Sequence, residues 1–212
     1  MADQRDGGIA WTDQTWNPTR GCSRVSAGCA NCYAERVAGR FSGGGQPYSG
    51  FAILDDRGPR WTGKVEIVEK HLEDPLRWKR PRRIFVNSMS DLFHEAIPEA
   101  DIVRVLDVIR RCHAQRPGHV FQVLTKRASR MRDILSRLSF DGDVLHLLAI
   151  PATYSFAKLL TNLWVGVSVE DQAAADARIP DLLATPAAVR FLSCEPLLGP
   201  IVLAPCPGFD WI

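Results

Sequence analysis

Four short apolar runs, each closing on polar residues, constrain this chain more than any other feature. They are RIFVNSM, HVFQVLTK, LWVGVSV and VRFLSCEPLLG. Apolar strand interiors suit a sheet covered on both faces. Stretches with helical periodicity lie between the runs, and strand–helix alternation argues for parallel neighbours joined by right-handed crossovers. The runs close on Asn87-Ser88, Thr125-Lys126, Ser168-Glu170 and Cys194-Glu195. Polar groups gathered at the carboxyl ends of strands are how a (β/α) barrel or a doubly wound sheet builds a site. No glycine-rich dinucleotide fingerprint follows the early strands, which counts against a Rossmann sheet. The pattern predicts an α/β chain, an incomplete (β/α) barrel of mostly parallel strands, as a single domain over residues 1–212.

Between the runs, Pro98, Glu99 and Asp101 suit a first helical turn. Ile102, Val105, Leu106, Ile109 and Cys112 then share one helical face, and Pro117-Gly118 ends the element. Thr125 is expected to cap the next helix, with Met131, Ile134, Leu135 and Leu138 on its buried side. Residues 139–162 break the repeat and read as an insertion, partly helical and interrupted at Pro151. The segment EDQAAADARIPDLLATP reads as helical and interrupted at Pro180. FDWI at the end reads as a fifth strand beginning. Stopping there would leave an open sheet edge, so the C-terminus is expected to be truncated.

No apolar run reaches the roughly 18 residues of a membrane span, and MADQRDGGIA has no secretory pattern, so a cytoplasmic protein is expected. Six cysteines in 212 residues are too sparse for a disulfide scaffold; in a reducing compartment clustered thiols point to metal or redox chemistry. Charge is uneven. Residues 1–137 carry 23 Lys/Arg against 16 Asp/Glu, and residues 138–212 carry 3 against 8. The densest basic stretch is RWKRPRR, with Arg77, Lys79, Arg80, Arg82 and Arg83 around a tryptophan. It reads either as a track for a DNA or RNA backbone or as a solvated loop.

Three of the six cysteines, Cys22, Cys29 and Cys32, fall in GCSRVSAGCANCYAER. Gly21 and Gly28 precede two of them and allow tight turns. Thiolates select zinc, copper(I) or iron–sulfur clusters. Spacing alone leaves two readings open. One is a cubane cluster with three irons held by protein and one corner free. The other is a structural zinc with a fourth ligand from Cys194, Cys206 or His94. Cys112 reads as core, Cys206 as a loop residue, and His94 as a satisfied surface histidine. Trp11, Trp16 and Trp61 read as packing residues.

The segments NPTRGC and CANCYA resemble the cluster loop of radical S-adenosylmethionine (SAM) enzymes, in the branch related to spore photoproduct lyase. The gap of six residues between Cys22 and Cys29 departs from the usual three. Together with FVNSMSDLFHE, FQVLTKR, LWVGVSVE and FLSCEPLLG, it resembles a phage-associated three-cysteine family of unknown function. The resemblance implies a [4Fe-4S] cluster on Cys22, Cys29 and Cys32, in a loop over 17–41 that follows a first strand near Ile9–Thr12. It implies reductive cleavage of SAM to a deoxyadenosyl radical that acts on an unknown substrate, nucleic acid by analogy with the branch. Tyr33 would pack beside cluster and SAM. Ser88, Ser90 and Asp91 would meet the SAM ammonium and Lys126 its carboxylate. Ser168 and Glu170 would reach the ribose, and Glu195 would point to the same mouth. An electron donor or partner protein is implied. The alternative is a non-catalytic phage protein, stabilised by zinc or a cluster, that binds nucleic acid or a partner.

Overall fold

The computed structural model describes residues 9–141, 144–148, 160–203 and 208–210. The chain enters through β1 (Gln14–Trp16) and β2 (Thr19–Arg20), passes the cysteine loop, and turns into α1 (Tyr33–Arg40). A hairpin of β3 (Ala52–Asp55) and β4 (Gly58–Trp61) follows, then β5 (Glu66–Ile67), which pairs antiparallel with β2. Two single-turn helices, α2 (Glu69–Leu72) and α3 (Asp74–Arg77), lead to β6 (Arg83–Val86). From there strands and helices alternate as predicted: α4 (Glu99–Gln115), β7 (Val120–Thr125) and α5 (Ala128–Ser136). A second hairpin, β8 (Leu138–Asp141) and β9 (Val144–Leu147), precedes β10 (Leu163–Ser168), α6 (Gln172–Ala184) and β11 (Val189–Ser193). No helix among the described residues is long and apolar enough to cross a membrane.

The central sheet has five strands in the order β1-β6-β7-β10-β11, every pair parallel. It is open, with β1 and β11 at its edges. It is also curled. The Trp11 indole lies 4.6 Å from the Phe85 ring on β6 and 6.4 Å from the Phe191 ring on β11. Two strands separate β6 from β11, so a flat sheet would hold them about 14 Å apart. One indole reaches both rings because the sheet bends around its inner face.

Alternation along the strands sorts side chains to two faces. Ile84, Val86, Phe121, Val123, Val165, Val167 and Leu192 join the core against Ile102, Leu106 and Ile109 of α4 and Met131 and Leu135 of α5. Phe85, Leu124, Ser168 and Ser193 face inward and line a cavity. Leu124, Gly166 and Phe191 stand in one register row, and Ser168 opposes Ser193. Gly166 is required for space, since a Cβ there would sit 2.5 Å from the Phe191 ring.

Several expectations need correction. Residues 9–12 form no strand: Thr12 N–H closes a turn on Ile9 O (3.2 Å) and the strand starts at Gln14, because Trp11 is drawn onto the inner face. Thr125 does not cap α5; Arg127 holds the cap position, and its N–H donates to Thr125 Oγ1 (2.9 Å). The start of the insertion is a β-hairpin, not helix, with Leu138 and Leu145 joining the core; Pro151 lies outside the described residues. Helix α6 runs unbroken through Pro180. The proline removes one N–H from the ladder, while the Asp171 cap (2.8 Å from Ala174 N) and the buried Ala175 and Leu182 hold the turns on either side. Phe209 and Asp210 are not strand. Asp210 instead covers the β11 edge: its N–H donates to Arg190 O (2.9 Å) and its carboxylate accepts from Arg190 N–H (2.7 Å). Trp211 and Ile212 lie outside the described residues.

Candidate functional site

The inner face opens at the carboxyl ends of the strands into a cavity of about 440 Å³. Trp11 and Phe85 contribute aromatic wall, and the strand ends add Asn87, Ser88, Lys126, Ser168 and Ser193. Cys22, Cys29 and Cys32 all line it.

The cysteine loop is tied to four strand ends. Gly21 sits at φ +86°, bridges to Ser90, and has the Lys64 carbonyl where a Cβ would go (1.9 Å). Ser23 Oγ is held by His94 Nε2 (2.8 Å) and Arg127 Nη2 (2.9 Å). Ala96 N–H donates to His94 Nδ1 (3.1 Å), so the imidazole proton is on Nε2 and donates to Ser23. His94 is thus 4% exposed and part of the loop's support, not the surface histidine expected from sequence. Arg24 clasps the buried Glu35 through Nε (2.9 Å) and Nη2 (2.5 Å), and Glu35 also accepts from Trp61 N–H (2.8 Å). A 3₁₀ turn over Ala27–Asn31 then sets the pitch: Cys29 N–H bonds Ser26 O (3.0 Å) and Cys32 N–H bonds Cys29 O (3.2 Å).

Burial pushes the Cys22 thiol up to about 12, with the Asp91 charge adding and Arg127 opposing. Burial also raises Cys32. Without a compensating cation these thiols stay protonated at neutral pH, so metal binding here releases protons. Among the described residues no three of His, Cys, Asp and Glu converge as ligands of one metal ion. The fourth ligands considered for zinc are not on hand: His94 is spent on Ser23 and Ala96, Cys194 is not in the cavity wall, and Cys206 lies outside the described residues. Three thiols on one cavity wall are the donor type that zinc or an iron–sulfur cluster takes.

Of the eight residues considered for SAM contacts, seven line the cavity: Tyr33, Ser88, Ser90, Asp91, Lys126, Ser168 and Glu195. Tyr33 donates its hydroxyl to Ser88 O across the mouth. Ser88 Oγ meets Asn17, and Ser90 Oγ meets Thr19 Oγ1 (2.9 Å) and Thr19 O (3.1 Å). Asp91 is buried and filled by four donors: Phe93 N–H (3.0 Å), Thr125 Oγ1 (2.7 Å), Lys126 N–H (3.2 Å) and Arg127 Nη1 (3.0 Å). Its carboxylate splices the turn after β6 to the end of β7. Glu195 is exposed and adjoins a cis bond to Pro196.

Glu170 is the exception. Its side chain is 1% exposed and lies behind the loop. It accepts from Lys126 Nζ (3.2 Å) and from Arg178 Nη1 (2.7 Å). Burial works to raise its pKa, but hydrogen bonds from Arg178 and Ser26 and the charges of Lys126 and Arg178 outweigh burial and hold it at about 2.

Sequence reasoning passed over Arg127 and Arg178, and gave Asn87 no role beyond its place at a strand end. Arg127 directly follows Lys126, and its 4%-exposed guanidinium joins Asp91, Glu95 and Ser23. Arg178 pairs with Glu170 from inside α6 while Glu170 lies before the helix, outside the i,i+3 and i,i+4 spacings that mark a helical pair in a sequence. Asn87 has a left-handed backbone (φ +59°) and donates to Thr19 Oγ1 (2.8 Å), while its Oδ1 is buried without a partner among the described residues. Its sign in the sequence is its place at the polar close of the RIFVNSM run.

The basic stretch is not brought to the cavity. Arg83 starts β6 and the cavity lies past that strand's end. Arg77 pairs with Asp74 (3.2 Å) and Arg83 with Asp13 (3.1 Å). Arg82 donates to Gln14 Oε1 (2.7 Å) and lies over the Trp78 ring. Lys79 and Arg80 are exposed.

The sequence profile of one family, described as "Protein of unknown function (DUF5131)", matches residues 6–212. No curated protein and no solved structure matches the chain.

Proposed function

The chain belongs to the DUF5131 family, and for it we propose a radical SAM-type activity. In this reading Cys22, Cys29 and Cys32 hold a [4Fe-4S] cluster and the adjoining cavity takes SAM. The curled, open sheet is read as the partial (β/α) barrel of that class. One observation carries the proposal: three thiols from a single braced loop line one cavity of about 440 Å³ at the carboxyl ends of parallel strands.

Bound together, cluster and SAM supply the reductive cleavage of a carbon–sulfur bond. The chain's own residues do the rest. Ser23, His94 and Arg127 orient the first thiol, and the 3₁₀ turn orients the other two. Trp11 and Phe85 exclude water from one side of the cavity. Lys126 offers a cation at its wall for a ligand carboxylate, exchanging its bond to Glu170. Tyr33 lines the cavity and is fixed by its hydroxyl bond to Ser88 O.

Nucleic-acid contact through Arg77, Lys79, Arg80, Arg82 and Arg83 is not part of this proposal. Three of those cations have partners within the fold, and the stretch lies at the far end of the strands. The substrate class is open to assay.

The test is anaerobic reconstitution with iron and sulfide, metal counting, and incubation with SAM and a reductant. About four irons and four sulfides per chain are expected, with SAM converted to methionine and 5′-deoxyadenosine. Cys22→Ser, Cys29→Ser and Cys32→Ser should each abolish both. One zinc per chain without sulfide would overturn the cluster. A filled cluster that never cleaves SAM would overturn the activity.

A further inference from the structure

We infer that Glu170 is a positioning residue for the cysteine loop, set against Gly28 so that Cys29 and Cys32 keep their places when no metal is bound. The inference rests on the proposed role of those thiols as ligands. Glu170 follows β10, far in sequence from the loop, yet its carboxyl group fills the space beside Gly28. A Cβ on Gly28 would lie 3.0 Å from the carboxyl carbon and 3.1 Å from Oε1. Gly28 has no positive φ, so a glycine is needed there for closeness and not for backbone freedom. Two residues before Gly28, Ser26 O accepts from Cys29 N–H (3.0 Å). The line of support therefore runs from Glu170 to the backbone of Gly28, which directly precedes Cys29, and from the Cys29 carbonyl to Cys32 N–H (3.2 Å).

The charges suit this task. A lone buried carboxylate behind three thiolates would repel them. Glu170 stands between two cations, Lys126 (3.2 Å) and Arg178 (2.7 Å), which together outnumber its single negative charge. Arg178 also donates to Ser168 O (2.7 Å), which pins the carboxylate to the end of β10. Glu170 is not in the cavity wall, and its oxygens are already engaged. Its geometry is that of a brace and not of a ligand contact.

The experiment is amide hydrogen exchange on the metal-free full chain, alongside iron loading and the thermal midpoint. Glu170→Gln removes the charge at constant shape. Gly28→Ala adds one methyl against the carboxyl and leaves the charges of Glu170, Lys126 and Arg178 in place. Each is expected to speed exchange over residues 26–32 by at least about tenfold while α4 and β7 keep their protection. Each should also lower iron retained per chain. Gly28→Ala combined with Glu170→Asp, which withdraws the carboxyl by one methylene, should recover part of the protection lost in Gly28→Ala alone. Unchanged exchange over 26–32 in both single variants would overturn the inference. So would loss of protection throughout the chain in Glu170→Gln with no effect of Gly28→Ala, since that would make Glu170 a general stability residue. Exchange is read without metal. If the wild-type chain takes up no iron and sulfide, the activity proposal falls while the positioning role is still judged on its own result.

Discussion

At the scale of single residues, the site is built from polar groups that are nearly all committed to one another. Arg127 shows how to weigh them. It touches two carboxylates, Asp91 at 3.0 Å and Glu95 at 2.8 Å. Asp91 is buried, whereas the Glu95 side chain is 64% exposed. A buried charge that loses its partner costs roughly 3–5 kcal/mol, and an exposed pair contributes about 1 kcal/mol or less. Asp91→Ala should therefore lower stability several times more than Glu95→Ala, as read by urea denaturation; equal losses would contradict the burial argument. Gly21 gives a second residue-scale prediction. With φ +86° and the Lys64 carbonyl 1.9 Å from a would-be Cβ, Gly21→Ala should cost roughly 2–4 kcal/mol, visible as a lower thermal midpoint and weaker metal retention.

At the scale of elements, the strands legible in the sequence are those whose apolar runs are long enough to be covered on both faces. β6, β7, β10 and β11 fall where RIFV, VFQVLT, LWVGVS and VRFLS stand. β1 was misplaced because its three residues, Gln14–Trp16, carry no apolar run; its place comes from parallel pairing with β6. The β8–β9 hairpin carries a two-residue turn signal, Gly142-Asp143 between its strands, that is outweighed by the irregular segment around it, and Pro180 reads as a helix breaker only if tertiary support is left out. Inner-face packing yields a prediction at this scale. Gly166→Ala would drive a methyl into the Phe191 ring and should destabilise by roughly 1–3 kcal/mol. Adding Phe191→Leu should recover part of that loss in chemical denaturation, and strict additivity would argue against the contact.

At the scale of the whole molecule, buried titrating groups set the acid response. His94 is held below its ordinary 6.5, chiefly by burial and then by the Arg127 charge. The unfolded chain therefore binds this proton first, and stability falls as pH drops through about 6.5. Glu170 is held at about 2 against an ordinary 4.5. Its contribution is complete above about 4.5 and is lost as pH falls toward 2. A denaturant midpoint followed from pH 8 to 3 should fall in two limbs. Glu170→Gln should flatten the lower limb, and an unaltered lower limb would show that Glu170 is not its source.

The sequence by itself determined the parallel α/β class, the order of the alternating elements and the three clustered thiols. Each of these follows from local periodicity or from residues adjacent in the chain. It also put seven of the eight considered contact residues on one cavity, because polar residues that end parallel strands share an end of the sheet. Only the tertiary structure decided that Trp11 enters the curl of the sheet, that His94 and Arg127 brace Ser23, that Glu170 stands behind Gly28, and that RWKRPRR faces away from the site. Those outcomes depend on which side chains meet across sequence separations of about 70 to 180 residues, and on sheet curvature, a property of five strands together that no single run of residues encodes.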